Sequence, residues 1–217
     1  PAFEIVHGSS FFEYAGSHPE VGELFDSAMM SVAPLYGAAV ANAYDFSQAS
    51  PIADVGGGSG LMLRAILRAY PDAIGVLFDL PGAISRAPQV FGDEKARVRV
   101  EAGDFFETAP AGAKTYLLSH VLHNWDDERA LKILRNVRRE LPPDGRVLIV
   151  ETLLGDKPNR WSAGNLTDAQ MLSLVRGRER TRVDFEAVLA QAGLRAIRVI
   201  PTSAAESIIE CGPRHAA

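Results

Sequence analysis

A chain of 217 residues with 47% hydrophobic and 23% charged content is long enough to bury a full core, and its composition is that of an ordinary globular protein. The net charge of −5 argues against nucleic acid as a main partner, because a phosphate backbone calls for clustered Lys and Arg, and Arg176, Arg178, Arg180 and Arg182 are interrupted by Glu179. A single cysteine, Cys211, excludes an internal disulfide framework and fits a reducing cytoplasm, while no signal-peptide pattern opens the chain and no apolar run reaches the ~20 residues of a membrane span. The first 49 residues read as a mostly helical connector. A helix is expected over 20–44, with Val21, Leu24, Phe25, Ala28, Met29 and Val32 on one apolar, core-facing side. From residue 50 strand-like and helix-like segments alternate, the pattern of an α/β protein with a parallel sheet flanked by helices. Strands are expected at 51–55, 74–79, 98–102, 115–119 and 146–152, and helices at 60–70, 81–90, 127–140 and 165–175. Asp126, Asp127 and Glu128 place negative charge at the start of the 127–140 helix, where the helix dipole favours it. Another helix runs from Asp184 to Ala192 and stops at Gly193. The last two strands, 195–200 and 206–211, are joined by a turn too short for a crossover, so they pair antiparallel.

The run Asp54-Val55-Gly56-Gly57-Gly58-Ser59-Gly60 sits between an expected strand and an expected helix, the context of a nucleoside-binding turn. A dinucleotide fingerprint read from Gly56 needs glycine at position 61, where Leu61 stands. The spacing fits acid-x-G-x-G-x-G instead, through Asp54, Gly56, Gly58 and Gly60, and resembles the first motif of methyltransferases that use S-adenosylmethionine (SAM). Asp79 closes the second expected strand about 20 residues beyond the glycines, the place of a ribose-reading acid; a helix N-cap ahead of Pro81 is the other use of that position.

Further blocks follow in order: Phe78-Asp79-Leu80-Pro81, Gly103-Asp104-Phe105-Phe106, Leu122-His123-Asn124-Trp125-Asp126-Asp127, Arg146-Val147-Leu148-Ile149-Val150-Glu151 and Gly177-Arg178-Glu179-Arg180-Thr181. Together they resemble the small-molecule O-methyltransferases that include plant caffeate and flavonoid enzymes and bacterial antibiotic-pathway enzymes. The resemblance implies the class I methyltransferase fold, a doubly wound, mostly parallel seven-stranded sheet with a C-terminal antiparallel hairpin. It implies SAM as methyl donor, S-adenosyl-L-homocysteine as product, no metal, and a small aromatic acceptor. It further implies that residues 50–217 are the catalytic domain and that 1–49 are the remnant of a helical region through which the family forms homodimers.

Carried over residue by residue, Asp54, Gly56, Gly58, Gly60, Asp79 and Leu80 belong to the SAM site. Asp104 would accept from the adenine amino group, Phe105 would pack on the ring, and Ser119, where many plant members have Lys, would face the methionyl part. His123 falls at the family's catalytic base, with Glu151 and Glu179 as the carboxylates that orient it; Glu179 among arginines also fits a surface ion pair. Asn124 stands where many plant members have Asp. Met29, Met171 and Trp125 match acceptor contacts, and both methionines equally fit ordinary core. His120 reads as packing beside the cofactor rather than as a metal ligand with Asp126 or Asp127. The activity implied is in-line methylation of a phenolic or enolic hydroxyl; hydroxylation on the same scaffold, or SAM binding without turnover, are the alternatives.

Overall fold

The computed structural model describes residues 1–155 and 161–214, without the side chains of Asp26, Val32 and Ala33, so Val32 of the expected apolar face lies outside the described residues. Three helices come first: α1 (Ala2–His7), α2 (Phe11–Ser17) and α3 (Pro19–Ala43). The alternating part follows as β1 (Ile52–Val55), α4 (Leu61–Ala69), β2 (Gly75–Asp79), α5 (Ala87–Phe91), β3 (Val98–Ala102), β4 (Thr115–Ser119), α6 (Asp127–Glu140), β5 (Arg146–Glu151), α7 (Ala163–Leu174), α8 (Arg182–Gln191), β6 (Leu194–Pro201) and β7 (Ser207–Pro213). The seven strands form one sheet in the order β3-β2-β1-β4-β5-β7-β6. The first five are parallel, and β7 runs antiparallel to both β5 and β6. The doubly wound sheet with an antiparallel C-terminal hairpin is therefore present. Its strand order reverses between β1 and β4, which opens a crevice at the carboxyl ends of those strands.

Side-chain alternation along the strands divides the core into two layers. Ala53, Val55, Val76, Phe78, Tyr116, Leu118, Val147 and Ile149 point to one face, where Ile133, Leu134 and Val137 of α6 and Phe185, Val188 and Leu189 of α8 cover them. Ile52, Leu77, Leu117, Leu148 and Val150 point to the other, under Leu63, Ile66 and Leu67 of α4 and Val40 and Ala41 of α3. Each fully buried Leu or Ile contributes about 1.5–3 kcal/mol of transfer free energy, so the central strands fix the frame on which the loops are mounted.

Two expectations need correction. The helix expected at 81–90 is a 3-10 turn at Ala83–Arg86 followed by the short α5. Pro88 has no N–H to give back to the preceding turn, so the helix breaks and restarts with the proline in its first turn. The apolar face of α3 is not a core face along its first half: Leu24 is 72% and Met29 41% exposed. The helix is anchored by its second half, where Val40 and Ala41 are buried. Pro34 bends it by 44° between Pro19–Ser31 and Pro34–Ala43, turning the first half away from the sheet. There Phe25 meets the rings of Phe11 and Phe12 of α2, at 5.2 and 6.2 Å. The mostly helical reading of residues 1–49 covers α1 and α2, although it gave no bounds for them. Among the described residues no single helix is long and apolar enough to cross a membrane.

Candidate active site

The loops that leave β1, β2, β3, β4 and β5 at their carboxyl ends carry Gly56–Gly60, Asp79, Asp104, His123 and Glu151 respectively, so the fold gathers the expected residues along one edge of the sheet.

After β1 the chain turns sharply, with φ of +72° at Gly56, +57° at Gly58 and +91° at Gly60, a region that side chains disfavour. Around Gly58 the space is open, and its N–H donates to Asp79 Oδ2 at 2.8 Å. The Leu80 N–H donates to Asp79 Oδ1 at 2.7 Å. Asp79 is thus held by two backbone donors and keeps lone pairs on both oxygens. Burial holds its carboxyl above the usual range, the two N–H donors oppose this, and Asp104 adds to it. Asp104 is aimed by the Phe106 N–H, which donates to Oδ1 at 2.8 Å, and the Phe105 ring lies under the glycine turn beside Gly56. Asp54 lies beneath the same turn, close enough that a Cβ on Gly57 would stand 2.5 Å from its carboxyl carbon. It is fully buried, and both oxygens lack a hydrogen-bond partner among the described residues. Burial, with Asp79 nearby, pushes its pKa up to about 7 against the nearby Leu63 backbone N–H, which favours the charged form. An orphaned buried carboxyl under a turn with open space above it, flanked by two further acids, suits a ligand with hydroxyl and ammonium donors.

Beyond β4, a 3-10 turn at Leu122–Asn124 carries His123. Its Nδ1 lies 3.0 Å from Glu179 Oε1 and 3.4 Å from Glu151 Oε2. Glu151 is fully buried at the end of β5, and its Oε1 accepts the N–H groups of Leu122 at 3.0 Å and His123 at 3.3 Å. One carboxylate therefore holds the turn as well as the ring. Glu179 is the hydrogen-bond acceptor at Nδ1 and Glu151 Oε2 a charge contact beside it, which places the proton on Nδ1 and leaves the lone pair on Nε2, an assignment made from the hydrogen-bond network. Burial disfavours the charged ring, but Glu151 and Glu179 outweigh it, and the pKa of His123 is raised to about 8. The surface reading of Glu179 is corrected: it is 2% exposed, and its own N–H donates to Asp168 Oδ1 at 2.9 Å.

Residues the sequence reading passed over secure this turn. Arg180 is 1% exposed, and its guanidinium donates to Leu122 O and Trp125 O, both at 2.8 Å, and to Asp127 Oδ1 at 2.8 and 3.0 Å. It thus grips the turn on both sides of His123. A planar fork with five donors suits this, where a single ammonium would not span the three acceptors. Gly177 lies directly on the same backbone: a Cβ there would overlap the carbonyl oxygen of His123 and stand 2.6 Å from Trp125 N. The signal available in the sequence was an arginine and a glycine flanking Glu179 in one short block.

The pattern of the O-methyltransferase domain matches residues 1–195. The chain belongs to the O-methyltransferase domain family. It is 40% identical over 216 residues to the phenazine O-methyltransferase PhzM of Lysobacter antibioticus, a match that covers 98% of this chain and 62% of that protein. It is 39% identical over 206 residues to the mitomycin biosynthesis 6-O-methyltransferase of Streptomyces lavendulae, covering 94% and 58%. The crystal structure of NcsB1 from neocarzinostatin biosynthesis, in complex with SAM and 2-hydroxy-5-methyl naphthoic acid, superimposes with a TM-score of 0.90 at 37% identity, over 98% of this chain and 64% of that one. The chain thus spans about three fifths of the length of these relatives.

In this O-methyltransferase domain the other expected site residues are spread more widely. Ser119 ends β4 and is half-buried, while Leu80 exposes half its surface and contributes its N–H to Asp79. Trp125 is packed by Phe106 at 4.7 Å, Phe12 at 5.9 Å, Phe105 at 6.1 Å and the Arg129 guanidinium at 5.7 Å. Met171 is buried on α7 and Met29 exposed on α3, so the two methionines differ in environment. Asp126 and Asp127 do not join His120: Asp126 caps α6 by accepting the Arg129 N–H at 2.9 Å, and Asp127 is taken by Arg178 and Arg180. His120 lies instead by Tyr36, with ring centres 4.8 Å apart. One nitrogen each of His120 and His123 and an oxygen of Glu151 fall within 4.8 Å of one another, but His123 Nδ1 is already engaged by Glu179.

Proposed function

We propose that this chain is the catalytic part of a SAM-dependent O-methyltransferase that methylates a phenolic or enolic hydroxyl of an aromatic small molecule. The observation that carries the reading is His123, half-buried on the turn after β4, with Nδ1 hydrogen-bonded to Glu179, Glu151 beside it, and no partner at Nε2 among the described residues. Support comes from relatives whose names are O-methyltransferases of phenazine and mitomycin chemistry, and from a neighbour holding SAM and a naphthoic acid. Bound SAM supplies an electrophilic methyl group on a sulfonium.

The residues of this chain divide the rest of the work. The glycine turn with Asp54 and Asp79 would hold the ribose and the polar tail, and Asp104 with Phe105 the adenine. Ser119 stands at the end of β4 between this site and the His123 turn. Nε2 of His123 takes the hydroxyl proton of the acceptor. A phenol with pKa near ~10 gives up its proton to a base near pH 7 at a cost of roughly 4 kcal/mol. Against an imidazole raised to about 8 the gap narrows to about 3 kcal/mol. Glu151 and Glu179 stabilise the imidazolium that forms, and Arg180 holds the turn so that the ring does not follow the proton. Trp125, Met29 and Met171 are the proposed acceptor contacts, and orientation of the acceptor can supply up to ~7–11 kcal/mol of the barrier. The direct test is transfer of labelled methyl from SAM to a panel of phenols with S-adenosyl-L-homocysteine as readout; no transfer to any phenol in a preparation that binds S-adenosyl-L-homocysteine overturns the reading.

Two outcomes are expected. Because only neutral His123 acts as base, kcat/KM should rise with pH and level off above about 8. Glu179→Gln removes a negative charge that favours the protonated ring, so the midpoint should move down toward the ordinary histidine value; an upward move would show that Glu179 is not the partner. Asp79→Asn should weaken SAM binding about 10- to 100-fold by calorimetry, the scale of lost hydrogen bonds to a charged group, with the acceptor KM little changed. Equal loss in both would place Asp79 in the frame rather than in the nucleoside site.

A further inference from the structure

We propose that His120 and Glu206 form a polar subsite beside His123 for a second hydrogen-bonding substituent of the acceptor, a hydroxyl or amino group on the ring carbon next to the one that is methylated. The proposal rests on the methyltransferase reading above and names the substrate class within it.

The mechanism uses neither residue, yet three separate elements converge to place them. His120 follows β4 with φ of +53°, a conformation that costs energy for a side-chain-bearing residue and persists only where its surroundings impose it. Those surroundings are visible. The His120 N–H donates to Val150 O at 3.0 Å, and its carbonyl accepts from Asn124 Nδ2 at 2.9 Å. Asn124, which stands where many plant members have Asp, is thus the residue that fixes the direction of His120. From α3 the Tyr36 ring packs on the imidazole, and from the turn between β6 and β7 Glu206 brings Oε1 to 3.5 Å from Nε2.

What this pair lacks is a partner of its own. His120 Nε2 and Glu206 Oε2 are buried and have no hydrogen-bond partner among the described residues. Buried polar atoms are seldom left in that state, and two adjacent ones beside a candidate base point to a ligand group that completes them. A carboxylate offers only lone pairs, so the group it takes must donate a hydrogen, which selects hydroxyl or amino over ether or ketone. Burial, aided by His123, keeps the His120 ring on the neutral side, against the pull of Glu151 and Glu206, so it carries one N–H and one lone pair, which a hydroxyl or amino group can meet in either tautomer. The two imidazoles have centres 5.4 Å apart and planes at 57°. Rings that close meet the same edge of a flat acceptor and address neighbouring substituents on it, one deprotonated by His123 and one held by His120 and Glu206.

The test compares kcat/KM for naphthalene-2,3-diol and 2-naphthol in the unaltered protein, in Glu206→Gln and in His120→Asn. Asparagine tolerates the left-handed backbone, so the second variant shortens the side chain without forcing the turn. The diol should be preferred about 10-fold or more, and the preference should fall about 10-fold in each variant, equivalent to about 1.4 kcal/mol. Binding of S-adenosyl-L-homocysteine, followed by calorimetry, should be retained. An unchanged ratio in variants that keep this binding overturns the subsite, as does the absence of any preference in the unaltered protein. A loss of S-adenosyl-L-homocysteine affinity parallel to the loss of diol turnover also overturns it, by assigning the pair to the nucleoside. If neither phenol is methylated, both are titrated into protein loaded with S-adenosyl-L-homocysteine. A diol preference that the variants lose then supports the subsite whatever the phenol panel says of methyl transfer, and equal binding or none sinks the subsite itself.

Discussion

Replacing His123 by alanine is expected to reduce methyl transfer by about 10²- to 10⁴-fold, the usual worth of a positioned general base, while S-adenosyl-L-homocysteine still binds. The expectation follows from geometry: Nδ1 is committed to Glu179, with Glu151 beside it, so what His123 has left for an acceptor is the basic Nε2. The proposed nucleoside site, with Gly58, Asp79 and Asp104, makes none of its hydrogen bonds to His123 among the described residues. A more discriminating version uses acidity. A nitrophenol that is already ionised at neutral pH has no proton to lose, so the deficit of the alanine variant should shrink toward nothing with that acceptor. A deficit of the same size for ionised and un-ionised phenols would mean that the ring positions the acceptor and does not take its proton. Unchanged turnover would remove His123 from the reaction.

Gly177→Ala is expected to do comparable damage to turnover by another route, and to lower stability by about 1–3 kcal/mol or more, the cost of over-packing. One added methyl group would overlap the His123 carbonyl and crowd the Trp125 nitrogen. These are backbone atoms of a turn whose neighbouring carbonyls, Leu122 O and Trp125 O, are held by Arg180, so the turn has little freedom to retreat. The turn must then move, and with it the ring. Gly16 provides the control: nothing lies within 4 Å of a Cβ added there, and alanine in that helix should be neutral or stabilising by roughly 0.5–1 kcal/mol. Thermal unfolding of both variants, read beside their turnover, checks the pair. A Gly177→Ala protein with ordinary stability and ordinary turnover would show that the loop after α7 is not packed on the catalytic turn.

The sheet was legible because its signals are local. Apolar runs such as Val147-Leu148-Ile149-Val150, bounded by Pro142-Pro143-Asp144-Gly145 before and Glu151 after, mark a buried strand and its ends directly. The glycine turn was legible for the same reason. The failures share a different cause. Pro88 breaks a helix whose periodicity looked continuous, and the face of α3 looked like core because periodicity reports an apolar stripe without saying what covers it. Glu179 was assigned from a motif, but its contacts with Asp168 and His123 come together through folding and not through spacing. Tyr36 and Glu206 carried no signal at all. They come from opposite ends of the chain and meet only because α3 and the β6–β7 turn both border the same crevice.

The position of β7 has a consequence for how the protein is made. Although it follows β6 in the chain, it lies inside the sheet, between β5 and β6. While a ribosome is still building residues 194–206, the flank of β5 stands bare, and the ladder in which Glu151 will stand opposite Ser207 has no second half. The imidazole's carboxylate anchor therefore settles late. Nascent chains must keep an apolar strand edge shielded until the β6–β7 hairpin slots home, and interrupted translation products would carry the glycine turn without the finished surroundings of His123.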